Sequence, residues 1–427
     1  MPTHLSKVLS FVVALALLTA ACGSSDARSS KAAVEPEATP TSAPQPEPAA
    51  ESESDADSEP DAVVEPSLEE AIAVEIDDFM AATGAPGLSF AMVMPDDEVL
   101  TIARGVADLE TGDPVTPDDY FRIGSVTKPI TTAVVLQLAD EGLLALDATV
   151  SSILGPWAPG YDYEDEVTVR QLLNHTSGFF EYPFDPAFYS YAAPRLDEPI
   201  SPEELIAYSA QRGAQYELGT QWQYTTVGFV AAGLVIEAVT GNSAEDEFRT
   251  RIYEPLGLTD AYLAPGQRPP ESIVHGYVLG PLAAAITALG VIPEGGLIEV
   301  DGVEYVDVLS VPQEFLSSAG WTGGGIEAQA DDTAIMFGGL FGDGLVPDAM
   351  LAEMLEPTLN QNYGLGLSVE TVAGETVYSH GGGLPGFRSH AAYLPAHDVS
   401  MAFSVSAIPL DPDVGELAER IVKLVTG

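Results

Sequence analysis

A serine stands three residues before a lysine in Phe121-Arg122-Ile123-Gly124-Ser125-Val126-Thr127-Lys128, and Pro129 to Ala139 continues as a helical pattern closing at Gly142. Residues i and i+3 share one face of a helix, so the Ser125 hydroxyl and the Lys128 amine can meet. A serine hydroxyl is a weak nucleophile until a base takes its proton, and a lysine amine can serve if burial depresses its pKa. The helix N-terminus adds positive potential where oxyanion charge would develop. Further along, Gln221-Trp222-Gln223-Tyr224-Thr225-Thr226 leads into a second helical stretch, and His380-Gly381-Gly382-Gly383-Leu384-Pro385-Gly386-Phe387 stands near the C-terminus. Tyr224, Thr226 and His380 are the polar side chains of interest in these two stretches, and Thr226 also reads as a helix N-cap. His175, in Asn174-His175-Thr176-Ser177-Gly178, falls in a loop pattern and reads as structural. His275, His390 and His397 have no partner pattern. Gly381-x-Gly383-x-x-Gly386 has the form of a dinucleotide fingerprint, but Pro385 interrupts it and strand-like sequence follows, so it is rejected. No G-x-S-x-G is present.

The elements that must position these residues are legible in outline. Ser67 and Glu70 form an S-x-x-E capping box ahead of Leu68, Ile72, Ile76, Phe79 and Met80 at helical spacing. Leu88 to Met94 and Val99 to Ala103, separated by Pro95-Asp96-Asp97, read as a hairpin, and a second strand-rich region runs from Thr376 to Ala407. Between them lie mostly helical patterns, such as Val227 to Val239 closing at Gly241. The expectation is an α/β fold: an antiparallel sheet built from both chain ends and flanked by helices, with a mostly helical region inserted. Residues 281 to 315 are apolar and Gly-rich, with a hairpin expected around Asp301-Gly302, and read as an insertion or lid.

The chain has 427 residues and a formal charge of −50, with 46% hydrophobic residues. That length buries a full core and that composition excludes wholesale disorder. The charge repels phosphate backbones and disfavours nucleic-acid binding. A single cysteine, Cys22, excludes thiolate-clustered metal sites, and six scattered histidines offer no HExxH. No metal and no cofactor is expected. Lys7 followed by the apolar run Val8 to Ala21 reads as an export signal too short to span a bilayer comfortably. Leu18-Thr19-Ala20-Ala21-Cys22 resembles a bacterial lipoprotein signal, with the leucine one place further from the cysteine than usual; the resemblance implies lipid on Cys22. The alternative is an ordinary cleaved signal and a secreted chain. Residues 23–66 hold 11 acids and seven prolines with no aromatic, Leu or Ile, too little apolar surface to order a backbone, and read as a disordered acidic tether. A folded domain is expected over residues 67–427.

Serine-lysine, then tyrosine-x-polar, then a basic residue before glycines is an ordered set that resembles the penicillin-recognising serine hydrolases, in the branch holding class C β-lactamases, D,D-carboxypeptidases and related esterases. Gln137-Leu138-Ala139-Asp140-Glu141-Gly142, Val169-Arg170-Gln171-Leu172-Leu173-Asn174-His175-Thr176-Ser177-Gly178 and Tyr363-Gly364-Leu365-Gly366-Leu367 are similar to further segments of that family. The resemblance covers roughly residues 68 to 427 and implies a β-lactamase/transpeptidase-like fold. It implies that Ser125 is the acylated nucleophile, Lys128 its proton partner and Tyr224 the proton shuttle. His380 takes the place where other branches carry lysine, followed by Gly381 and Gly382, and the oxyanion would be held by the N–H groups of Ser125 and Gly383. Two departures stand out. Thr226 replaces the family's usual Asn, and Gly381 and Gly383 offer none of the hydroxyls with which carboxypeptidases grip a terminal carboxylate. Arg388, just after this motif, could supply carboxylate binding instead. The implied activities are ester or amide hydrolysis, D-alanyl-D-alanine carboxypeptidase or class C β-lactamase action on a small-molecule or peptidoglycan-like substrate. The alternative of another class is a catalytically inactive cell-envelope binding lipoprotein.

Overall fold

The Ser67–Glu70 capping box starts the first helix, α1 (Leu68–Thr83): the Ser67 hydroxyl accepts from the Glu70 N–H, and the Glu70 carboxylate accepts from the Ser67 N–H. Ile72, Ile76 and Phe79 form its buried stripe. The structure is a computed structural model that describes residues 66–269, 273–288, 295–342, 344–360 and 362–427. The export signal, Cys22 and all but the last residue of the expected tether lie outside the described residues.

The expected hairpin is β1 (Gly87–Val93) and β2 (Val99–Gly105). From the far end of the chain come β3 (Ser368–Val372), β4 (Glu375–Leu384), β5 (Phe387–Leu394) and β6 (Val399–Val405). The six strands form one antiparallel sheet in the order β2-β1-β6-β5-β4-β3, with Leu88 opposite Val405 where the two chain ends meet. The α/β fold expected from the sequence is thus the observed one. Alternation of side chains gives the sheet two buried faces. Phe90, Met401, Phe403 and Val405 pack against α1 and the last helix, α4 (Val414–Thr426). Ala91, Ala391 and Ala402 face the inserted helical region and belong to the larger core.

Two helices of that region carry the site. The first, α2 (Thr127–Asp140), is almost entirely buried, and Pro129 is tolerated because it falls in the first turn, where its missing N–H would have had no helical partner. The second, α3 (Thr226–Thr240), ends at Gly241, which takes the left-handed cap conformation. Its N-cap is Thr225, not Thr226: Thr225 has an extended backbone and its hydroxyl accepts from the Gly228 N–H. Residues 281–315 include the expected hairpin, Leu297–Val300 with Val303–Asp307, turned through Asp301 and Gly302, both at positive φ. The hairpin joins Tyr277–Val278 and Ala407–Ile408 in a four-stranded sheet, so it is an extension of the sheet system rather than a free flap.

Candidate functional site

Ser125 lies in a single 3-10 turn, Gly124–Val126, that runs directly into α2. Its partner Lys128 is on the first turn of the helix and is completely buried. The Lys128 Nζ is 2.9 Å from the Ser125 Oγ and donates to the Gly323 carbonyl at 2.5 Å. The Tyr224 ring centroid is 4.8 Å from Nζ and that of Phe229 5.5 Å. Burial pushes the Lys128 pKa down to about 7, against an opposing pull from the Glu181 carboxylate. Near neutral pH the amine is therefore partly unprotonated, its lone pair available for the Ser125 proton. Gly323 belongs to Trp321-Thr322-Gly323-Gly324-Gly325, a run without an assigned role in the sequence reading. Its neighbour Thr322 accepts at its carbonyl from Thr131 Oγ1 at 2.5 Å, which holds the run against α2.

The third element is β4. A Cβ placed at Gly382 would lie 2.0 Å from Ser389 Oγ and 2.1 Å from the Ile123 carbonyl oxygen, so only glycine lets this strand approach the turn before the nucleophile. Ser389, opposite Gly382 on β5, donates to that same Ile123 carbonyl at 2.6 Å. Gly124 takes φ +53°, and a Cβ there would stand 3.0 Å from the Gly383 nitrogen. The backbone of Gly383 therefore runs beside the nucleophile's own turn, as an oxyanion hole shared between Ser125 and Gly383 requires. Gly381 has room at its Cβ position, and Gly383 there faces the Arg388 guanidinium. Arg388 in turn donates through Nε and Nη2 to Asp413 at 3.1 and 2.6 Å.

His380 is buried and neutral. Its Nδ1–H donates to the Gly381 carbonyl at 2.6 Å, which leaves Nε2 to accept from the Tyr363 hydroxyl at 3.0 Å. The Tyr363 oxygen in turn accepts from His175 Nε2–H at 3.0 Å, and His175 Nδ1 accepts from the Thr225 N–H at 3.1 Å. The tautomers follow from this network, because the carbonyl at one end can only accept and the amide at the other can only donate. Burial drives His380 down to about 3 and His175 well below its ordinary value. His380 thus brings no positive charge to the site. His175, read from the sequence as structural, is buried with both ring nitrogens taken up by Tyr363 and Thr225, and Tyr363, noted in the sequence only as part of a similar segment, is the joint between the two histidines.

Thr226 does not present its hydroxyl proton to the cleft. Its Oγ1 donates to Glu181 Oε1 at 2.7 Å and its N–H to Glu181 Oε2 at 2.5 Å. Glu181 is missing from the sequence reading, and it is 7% exposed. The signal was present: Gly178-Phe179-Phe180-Glu181-Tyr182 sets one acid in an aromatic run, but among 65 acidic residues nothing local singles it out.

The Beta-lactamase family pattern matches residues 73–426. Over 214 residues the chain is 33% identical to a lovastatin esterase of Penicillium rubens, a match covering 44% of this chain and 52% of that protein. The chain spans about half the length of the curated relatives it matches. Among solved structures, a D-stereospecific amidohydrolase from Streptomyces sp. superposes with TM-score 0.65 at 29% identity, over 78% of this chain and 94% of that one. A D-amino acid amidase from Ochrobactrum anthropi SV3, complexed with D-phenylalanine, superposes with TM-score 0.70 at 25% identity, over 84% and 99%.

Proposed function

The chain belongs to the Beta-lactamase family, and we propose that it is a serine hydrolase that works through an acyl-Ser125 intermediate on an ester or amide. The observation that carries this reading is the fully buried Lys128 amine 2.9 Å from the Ser125 Oγ. Ser125 Oγ attacks the substrate carbonyl as its proton passes to Lys128 Nζ, and the oxyanion is held by the N–H groups of Ser125 and Gly383. Collapse of the tetrahedral adduct breaks the bond to the leaving group, which takes the proton back through Lys128 and Tyr224. Water then attacks the acyl-enzyme by the reverse path and restores the serine.

Within that chemistry we propose small-acyl esters over β-lactams and D-Ala-D-Ala peptides. The Thr226 hydroxyl proton is directed to Glu181, His380 is neutral, and positions 381 and 383 carry no hydroxyl. Each missing hydrogen bond to a charged group is worth about 1.5–3 kcal/mol, so losing two lowers turnover of carboxylate-bearing amides by roughly 10²–10⁴-fold. The similarity to an esterase agrees with this order; the similarity to amidases sets the alternative. A fluorophosphonate should label Ser125 and no other serine by peptide mapping. In the same preparation, kcat/KM for p-nitrophenyl butyrate should exceed that for nitrocefin and for a D-Ala-D-Ala peptide. A label elsewhere refutes the mechanism, a larger value for either amide refutes the ester preference, and no turnover or labelling at all favours an inactive binding lipoprotein.

We also propose a lipid anchor on Cys22, supported by the Lys7 to Cys22 pattern and the acidic stretch after it. Mass spectrometry of the mature N-terminus should find lipid on Cys22, and Cys22→Ser should release the chain from membranes. Unchanged membrane association in that variant rejects the anchor.

A further inference from the structure

Glu181 is hydrogen-bonded to Thr226, and through it is tied to both sides of Lys128. Its two oxygens hold the N–H and hydroxyl of Thr226, two residues beyond Tyr224 on the first turn of α3. Thr226 packs against Gly323 so closely that a Cβ on that glycine would meet its Cγ2 at 2.8 Å. The Gly323 carbonyl is the acceptor for Lys128 Nζ. One carboxylate thus fixes the helix start that follows Tyr224 and backs the loop that orients the amine. It is also a buried carboxyl whose charge acts on the buried Lys128 amine, in surroundings where charges act strongly on each other.

We propose that Glu181 is a positioning residue of the acyl-transfer site: it clamps the first turn of α3 through Thr226 and supplies the counter-charge for the Lys128 ammonium formed when Ser125 gives up its proton. The inference rests on the reading of Ser125 and Lys128 as nucleophile and base. Burial raises Glu181 while it lowers Lys128, which brings the two titrations toward each other and couples them. His175, in the loop before Glu181, and His380, on β4, are both held neutral. Burial keeps the neighbouring Tyr182 protonated, and the Tyr224 and Tyr363 phenols complete the surroundings.

The chain has four lysines, Lys7, Lys31, Lys128 and Lys423, so the Lys128 titration can be followed by NMR with lysine labelled at 13Cε. The Lys128 signal is the one missing from Lys128→Met. Glu181→Gln is the informative variant: its carbonyl can accept from the Thr226 N–H and its amide can donate to Thr226 Oγ1, so the clamp stays and the charge goes. The Lys128 midpoint should then fall by about one pH unit or more, a tenfold change in its proton affinity. The acid limb of Ser125 labelling should move down with it, while Tm stays near the wild-type value. In the wild-type chain the Lys128 curve should be broader than a single-site titration, a readout that needs no variant to fold. An unmoved midpoint in Glu181→Gln, or a single-site wild-type curve, overturns the proposal. Lysine titration is read without turnover, so a wild-type chain unlabelled at Ser125 defeats the hydrolase reading, whereas an unmoved midpoint defeats only the role of Glu181.

Discussion

Lys128→Met lowers acylation of Ser125 by about 10²-fold or more, the usual scale for losing a positioned base. Methionine keeps most of the stem volume between Tyr224 and Phe229, so the packing of α2 survives while the amine is lost. The substitution leaves the Gly323 carbonyl without its Lys128 donor, at a cost of about 1–3 kcal/mol of stability, which a lower Tm will register. The pH profile separates loss of the base from loss of fold. In the wild-type chain only the neutral amine can take the serine proton. With its pKa lowered to about 7, kcat/KM should rise as pH increases through 7 and level off above it. In Lys128→Met that rise disappears and the residual rate is flat across the same window. Wild-type acylation at pH 7.5 in the variant, or a rise through pH 7 that survives in it, shows that another group is the base.

Gly382→Ala is expected to be nearly as damaging without touching a group that reacts. The new methyl would stand about 2 Å from both Ser389 Oγ and the Ile123 carbonyl oxygen. Ser389 can rotate away, but the carbonyl is backbone and belongs to the residue just ahead of the Gly124–Val126 turn. Relief therefore requires β4 to move off the turn, carrying the Gly383 N–H away from Ser125. Overpacking of this kind costs about 1–3 kcal/mol of stability, and loss of one oxyanion donor costs about 10²–10³-fold in kcat. We expect a folded chain of lower Tm with kcat/KM reduced by about 10²-fold, measured with p-nitrophenyl butyrate. Gly381→Ala is the control, since a Cβ there has its nearest neighbour at 3.8 Å and should change little. Unaltered kcat/KM in Gly382→Ala would show that the strand's approach to the turn does not set the reactive geometry.

The features that could be read along the chain are those whose cause is local. The α1 capping box, the Pro95-Asp96-Asp97 hairpin and the Gly241 cap each depend on a few neighbouring residues, and each is present where expected. The Thr225/Thr226 cap is the instructive miss. Both residues can cap, and the choice fell to Thr225 because Glu181, 45 positions away, takes the Thr226 N–H and hydroxyl.

The pairing of Ser125 with Lys128 was determined by sequence alone, since an i, i+3 spacing at a helix start places both on one face whatever surrounds it. The sheet from both chain ends was likewise written in two strand-rich regions flanking a helical one. Only the tertiary structure decided what the lysine is. Its lowered pKa comes from exclusion of water by Tyr224, Phe229 and the Gly323 loop, and its opposing charge comes from Glu181. The neutrality of His380 comes from its burial and the nearby Lys128 charge, while its tautomer is set by the hydrogen bonds through Tyr363 and His175. These groups are separated by tens to hundreds of residues in the chain. Dielectric and charge depend on which atoms are near in space, so no spacing rule along the sequence could have supplied them.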